Sequence, residues 1–184
     1  MWLGLKSGLI LFNKESGAAT LYRHGEQYGI DISGIAHDRN GMIWTDKYIF
    51  KKNGSMYQRF RIKNFPESCA RVFGDRAGNI WIGSGYGLYV YFPESNRFRK
   101  FTLSKKTPEN HLSVRAFLED SRKNLWFGTW THIYKWDRTT NEVTSFMDML
   151  KKKLFVGTGA LAIAEDPNEI VWFVLPDFFW GFPS

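Results

Sequence analysis

Apolar and polar positions along this chain fall into short runs separated by turn residues, and the clearest example is the stretch Ala70–Phe101. Ala70–Phe73 predicts a first strand and Asp75-Arg76-Ala77-Gly78-Asn79 a tight turn. Ile80–Gly83 predicts a second strand, Ser84-Gly85-Tyr86-Gly87 a glycine-rich reversal, Leu88–Phe92 a third strand and Arg97–Phe101 a fourth. β-branched and aromatic residues fill the runs, as a pleated, half-buried surface favours. Asx and Gly sit where a reversal needs a positive φ or a side-chain-to-backbone bond.

The rest of the chain repeats this unit. Its anchor is an Asp followed six positions later by a Trp: Asp38/Trp44, Asp75/Trp81, Asp120/Trp126 and Asp166/Trp172, with successive Trp residues 37, 45 and 46 positions apart. Units at 32–62, 70–101 and 114–146 contain all four predicted strands. Residues 1–26 match a unit from its Trp-bearing strand onward, and 160–184 hold its beginning before trailing into Phe178-Phe179-Trp180, which matches the third strand poorly. Four-stranded antiparallel units at this spacing predict an all-β fold, a β-propeller of four-stranded blades. The propeller is expected to be incomplete, with three full blades and two partial ones in a single domain, 1–184. An open arc is favoured over a four-bladed closure, and its uncovered aromatics would promote aggregation. The repeated Trp residues are expected between blades, where large aromatics bury most surface. The repeated Asp residues are expected to bond backbone N–H groups of the first hairpin, with Gly or Asn in its left-handed position. All eight are therefore read as scaffold.

Composition agrees. Aromatics make up 17% of 184 residues, with 8 Trp, 16 Phe and 17 Gly, which favours short strands and turns over helices. No run of 18 apolar residues is present, and Met1–Lys6 lacks the layout of an export signal, which alone would leave the chain cytoplasmic as given. Cys69 is the only cysteine and reads as a small buried residue. The net charge of +7 raises nucleic acid as a partner, but Arg59, Arg61, Lys63, Arg97, Arg99 and Lys100 alternate with Phe60, Ile62, Phe98 and Phe101 on predicted fourth strands. Charges there guard an outer edge against pairing, so nucleic acid is not expected.

The wording of the repeat is specific. Glu119-Asp120 with Asn124-Leu125-Trp126-Phe127-Gly128-Thr129, and Asp75 with Gly78-Asn79-Ile80-Trp81-Ile82-Gly83-Ser84 and Gly87-Leu88-Tyr89-Val90-Tyr91, resemble the two-component regulator propeller repeat. WD40 repeats fit less well, because their Gly-His opening and Trp-Asp ending are missing. The resemblance covers nearly the whole chain, closely in the third and fourth units. It implies the periplasmic sensor region of a hybrid histidine kinase of Bacteroides-type bacteria. There, paired propellers precede a Tyr-rich immunoglobulin-like domain, a membrane helix and the kinase, and many members respond to polysaccharide breakdown products. This chain carries neither the membrane helix nor the kinase, so it reads as a fragment or a truncated reading frame, and a homodimer is implied only through the parent sensor.

Candidate binding residues lie on the rim that collects the loops after second and fourth strands. Asp46, Lys47, Tyr86, Trp130 and His132 combine aromatic platforms with polar neighbours, as sugar stacking and hydrogen bonding require. Catalysis is not indicated, and neither a metal nor a cofactor is expected. His24, His37, His111 and His132 are scattered, the Asp turns lack a calcium loop's ligands, and Gly83-x-Gly85-x-Gly87 has no P-loop Lys after it. The expected function is a ligand-sensing module that recognises oligosaccharides. Two alternatives stay open: a glycan-active or lyase-type propeller enzyme, for which Asp46 and Glu109 are the obvious rim carboxylates, and a protein-interaction scaffold.

Overall fold

A computed structural model describes residues 1–5, 8–23, 32, 34–46, 48–54, 56–61, 65–66, 69–95, 97–102, 113–146, 159–175 and 179–183. Among them are eighteen strands in five antiparallel sheets. The first holds β1 (Trp2–Leu5), β2 (Gly8–Phe12) and β3 (Ala19–Arg23). The second holds β4 (Ile35–His37), β5 (Ile43–Thr45), β6 (Tyr48–Asn53) and β7 (Met56–Arg61). β8 (Cys69–Gly74), β9 (Ile80–Ser84), β10 (Gly87–Phe92) and β11 (Arg97–Phe101) make the third. β12 (Ala116–Glu119), β13 (Leu125–Gly128), β14 (Ile133–Asp137) and β15 (Glu142–Ser145) make the fourth, and β16 (Ala162–Glu165), β17 (Ile170–Val174) and β18 (Phe179–Pro183) the fifth. Strands follow chain order in every sheet, which is the meander of a propeller blade.

Two sequence expectations shift here. The second unit begins pairing at Ile35 rather than Ile32. The poorly matching tail still forms a strand, Phe179 pairing with Val174 through to Pro183 with Ile170. A second strand with an open edge accepts any extended segment that supplies its backbone groups, so pairing there needs no consensus side chains.

The chain divides into two compact units, Met1–Ile82 with Val90–Phe98, and Gly83–Tyr89 with Arg99–Ser184, so the third sheet gives strands to both. In the first unit Leu9, Tyr22, Ile43 and Phe50 form a buried cluster, edged by Trp2 and Tyr57 in T-shaped contact at 4.8 Å. Trp44 lies 4.4 Å from Tyr91, ring centre to ring centre. In the second unit Ala116, Trp126, Ile133, Phe146, Val171 and Phe173 are packed together, and the Trp126 and Phe173 rings sit 5.6 Å apart. Sheets in each unit therefore meet through the Trp-bearing strand. That approach leaves no room for a side chain at Gly83 or Gly128, where a Cβ would fall 2.4 Å from the Val114 carbonyl oxygen and 2.7 Å from the Ala160 Cβ. The Gly two residues after Trp81 and Trp126 is thus a packing requirement, not a flexibility device.

Candidate functional site

The two ends of a blade differ in chemistry. At one end, the turn between first and second strands is built around the repeated Asp. Asp120 accepts the Asn124 backbone N–H on Oδ1 at 2.7 Å, and on Oδ2 it accepts both the Asn124 amide at 2.9 Å and the Trp126 indole N–H at 2.8 Å. Asp75 makes the same three bonds with Asn79 and Trp81. Asp38 and Asp166 accept two backbone N–H groups each, from Asn40 and Met42 and from Asn168 and Ile170, together with the indoles of Trp44 and Trp172. The six-residue offset read in the sequence is therefore the reach of one hydrogen bond. The carboxylate closes the turn with one oxygen and fixes the buried indole with the other.

The left-handed residue of these turns is the third after the Asp in every copy: Gly41 (φ 71°), Gly78 (φ 79°), Lys123 (φ 68°) and Glu169 (φ 61°). Lys123 and Glu169 thus depart from the Gly or Asn expected there, and Asn124 spends its side chain on Asp120. The backbone bond from each third residue to the Asp carbonyl, 2.8–3.0 Å, imposes the conformation on whichever residue stands there. Asp166 shows the electrostatic result. Hydrogen bonds from the Ile170 backbone and the Trp172 indole hold its carboxyl below its usual pKa against some desolvation.

At the other end, a hydroxyl locks the loop between second and third strands. Thr129 Oγ accepts the backbone N–H of His132 at 3.0 Å and donates to its carbonyl at 3.1 Å. Thr45 does the same with Tyr48, and Ser84 accepts the Tyr86 N–H at 3.0 Å. Thr45, Ser84 and Thr129 are buried, whereas Tyr86 and Trp130 beyond them are 59% and 54% exposed.

Around Trp130 the structure is most complete. The Trp130 carbonyl accepts the Gly159 N–H at 2.7 Å, and the Arg115 N–H bonds the Gly128 carbonyl at 2.8 Å. These bonds bring the segments entering β12 and β16 to the same end as the loop. The Arg115 guanidinium stacks over the indole with its carbon 3.4 Å from the ring centre. His132 is exposed, with Nδ1 2.8 Å from Thr131 Oγ1 and its ring nearly parallel to Tyr134 at 5.8 Å. Arg115 has no repeat signature, and only its position just before β12 on the rim side could have suggested it.

Of the rim residues named from sequence, Tyr86 stands on the β9–β10 loop and Trp130 and His132 share the β13–β14 loop. Asp46 is a correction: it is only 8% exposed and engaged within the protein, so it offers no free carboxylate. The link it occupies is short, and Thr45 bonds Tyr48 across it. Lys47, Glu109, His24 and His111 lie outside the described residues, as do the connectors 103–112 and 147–158. A separate cleft of about 390 Å³ lies by β11 and the β14–β15 hairpin, lined by Phe101, Trp136, Asn141 and Arg99 among others, and none of the rim residues reaches it.

Fold and turn chemistry together define a β-propeller of four-stranded blades. Residues 108–131 match the two component regulator propeller family. No curated protein sequence matches the chain. Among solved structures it is similar to the extracellular domain assigned to the hybrid two component system BT4673 from B. thetaiotaomicron, at TM-score 0.73 and 14% identity over 100% of this chain and 24% of that one. It is similar also to the corresponding domain of BT3049 from the same organism, at TM-score 0.74 and 16% identity over 100% of this chain and 26% of that one. A catalytically inactive virginiamycin B lyase from Staphylococcus aureus with quinupristin shares the fold at TM-score 0.67 and 16% identity, over 97% of this chain and 63% of the lyase. The chain thus spans about a quarter of the length of the two-component domains it matches.

Proposed function

We propose that this chain is a sensor module of a two-component signalling protein that works outside the cytoplasm and binds oligosaccharides on its rim. One observation carries the reading: Tyr86 and Trp130 stand exposed on loops that buried hydroxyls hold in place. A locked aromatic with a bare face presents a platform for the C–H face of a sugar ring at little ordering cost. The regulator propeller repeat and the two-component neighbours support the signalling role. The module acts by binding, not turnover, and any homodimer belongs to the parent sensor.

Nucleic acid is not a partner in this reading. Arg59 on outer strand β7 lies over the Tyr48 ring of its own sheet at 4.7 Å, and Arg122 pairs with Glu169 at 3.0 Å, so these cations are engaged at home. The likeness to a lyase favours a second reading, a propeller enzyme, and the same experiment separates them. Calorimetric titration with an oligosaccharide panel, run beside a product assay, should show binding without products and lose it in Trp130→Ala. Product formation would replace the sensor reading with the enzyme one, and silence across the panel would remove the sugar.

A further inference from the structure

We propose that this chain binds a second copy of itself head to tail, the first sheet of one copy packing on the fifth sheet of the other. None of the rim residues takes part.

Within each unit, neighbouring sheets meet in one repeated way. Trp2, Leu9 and Tyr22 of the first sheet pack with Ile43 and Phe50 of the second, and Trp44 of the second lies against Tyr91 of the third. Trp126 of the fourth sheet packs with Val171 and Phe173 of the fifth. Ile43, Val171 and Phe173 flank the tryptophans of their own strands, and successive side chains on a strand point to opposite faces. A sheet therefore has a Trp face and a flanking face, and the Trp face of one meets the flanking face of the next.

The first and fifth sheets each leave one of these faces bare. On the first, the flanking face carries Leu3, which is 40% exposed, whereas Ile82, Phe127 and Phe173 in the same place are buried. Leu3 pairs with Ile10 and Ile10 with Leu21, so the three form one apolar row across the sheet, and Leu5 and Leu21 are exposed as well. On the fifth sheet the Trp face is the bare one. Trp172 is half-buried, where Trp44, Trp81 and Trp126 are 0–3% exposed. Ala164, opposite Trp172 in its ladder, is exposed, while Ala36, opposite Trp44, is buried. A bare Trp face and a bare flanking face are the two halves of the contact already made inside each unit. Trp172 of one copy meeting Leu3 of another repeats Trp126 meeting Phe173.

A second copy also suits what stands two residues after the Trp. At Gly4, Gly83 and Gly128 a Cβ would collide with Ile32, Val114 and Ala160, in the segments that lead to the first strand of the next sheet. The fifth sheet has Val174 there, and it is exposed. In the first sheet the Trp-bearing strand β1 is itself the edge, so among the described residues no strand beyond it brings in such a segment. The space taken elsewhere by the lead-in is open to Val174. Apolar faces of this kind mark an interaction surface, and because the two faces differ, the contact is heterologous. It is therefore separate from any two-fold homodimer of a parent sensor.

Sedimentation equilibrium of the full chain tests this with Leu21→Glu, which charges the first-sheet face, and Ala164→Glu, which charges the fifth-sheet face. Both side chains are exposed, and circular dichroism matching the unaltered protein shows that each variant keeps its fold. The unaltered chain should associate reversibly, its average mass rising with concentration above that of one chain. Either variant alone should associate at least about tenfold more weakly, because the contact would bury an unpaired charge. Mixed in equal amounts, the two variants should recover association but stop at one pair. Only the Ala164→Glu copy then has an intact first sheet, and only the Leu21→Glu copy an intact fifth. A chain that stays monomeric throughout overturns the proposal and leaves both faces to another partner. Association that survives either substitution, or that the mixture fails to restore, overturns it too. Should a variant lose its fold, Leu5→Glu and Ala162→Glu put the same charge on the same two faces, at residues that are also exposed.

Discussion

The two ends of the fourth sheet show one chain solving two problems. At the Asp120 turn the anchoring groups face inward: Asn124 and the Trp126 indole both bond Asp120, and all three residues are buried. At the Trp130 loop, a residue of the same type stands in water, and what is buried is the hydroxyl of Thr129. The first arrangement recurs in four copies, each with the carboxylate-to-indole bond, at Asp38, Asp75, Asp120 and Asp166. The second recurs only in its lock, Thr45, Ser84 and Thr129, while the residues beside it differ, Asp46 being buried and Tyr86 and Trp130 exposed. A blade can vary what it presents because the loop's shape does not depend on it. It cannot vary the turn, because the turn also holds the packing aromatic.

This contrast is best broken by exchanging Trp for Ala at each end. Trp126→Ala empties a packed site against Phe173 and should cost about 3–5 kcal/mol in urea unfolding. Trp130→Ala removes an exposed stack on Arg115 and should cost no more than about 1 kcal/mol. Comparable losses at both sites would mean that the rim loop is scaffold as well. Next in size is Asp120→Ala, which leaves the Asn124 and Trp126 donors buried without their acceptor and should cost about 1–3 kcal/mol for each group stranded. In a cycle with Trp126→Phe, which removes only the indole N–H side, the two effects should be clearly non-additive.

Smaller effects sharpen the turn itself. Lys123 holds φ 68° in a place where two other copies use Gly. Lys123→Gly should therefore stabilise by about 0.5–1 kcal/mol, relief of the left-handed strain outweighing the added freedom of the unfolded chain. A loss of stability would show that the Lys side chain contributes something the turn geometry does not. The smallest effect is on pH dependence. Asp166 has its folded pKa lowered by the Ile170 and Trp172 hydrogen bonds. Its contribution is thus fully present above the ordinary carboxylate value and is lost as pH falls below that value through the lowered one. Replacing it with Asn should flatten that acid limb of the stability profile, and an unchanged limb would assign the pH dependence to other carboxylates.

How legible was this in the sequence? The Asp-to-Trp offset was visible as a pattern, and so was the fold, because each blade closes its own hairpins from residues near in sequence. Asp120 reaches Asn124 and Trp126 without leaving its sheet, so a local reading suffices. That the offset is a carboxylate-to-indole bond was not visible, since spacing alone does not say which atoms meet. The left-handed residue was expected to be Gly or Asn, which holds at Gly41 and Gly78 only, because the backbone bond at the third position decides, and Lys123 and Glu169 comply. Among the rim residues, Tyr86 and Trp130 were legible as aromatics beside turn signals. The burial of Asp46 was not, because the same lock is followed by an exposed residue at Trp130, so burial there is decided by packing beyond the loop.

By itself, then, the sequence determined the all-β repeat, the order of strands within a blade, and which eight residues anchor it. These are set by period-2 patterning and turn chemistry that act over a few residues. Only the tertiary structure decided what gathers at the rim. Arg115, Trp130 and Gly159 meet because β12, β13 and β16 bring their ends to one place, and contacts between residues that far apart depend on sheet packing, which leaves no local trace in the chain.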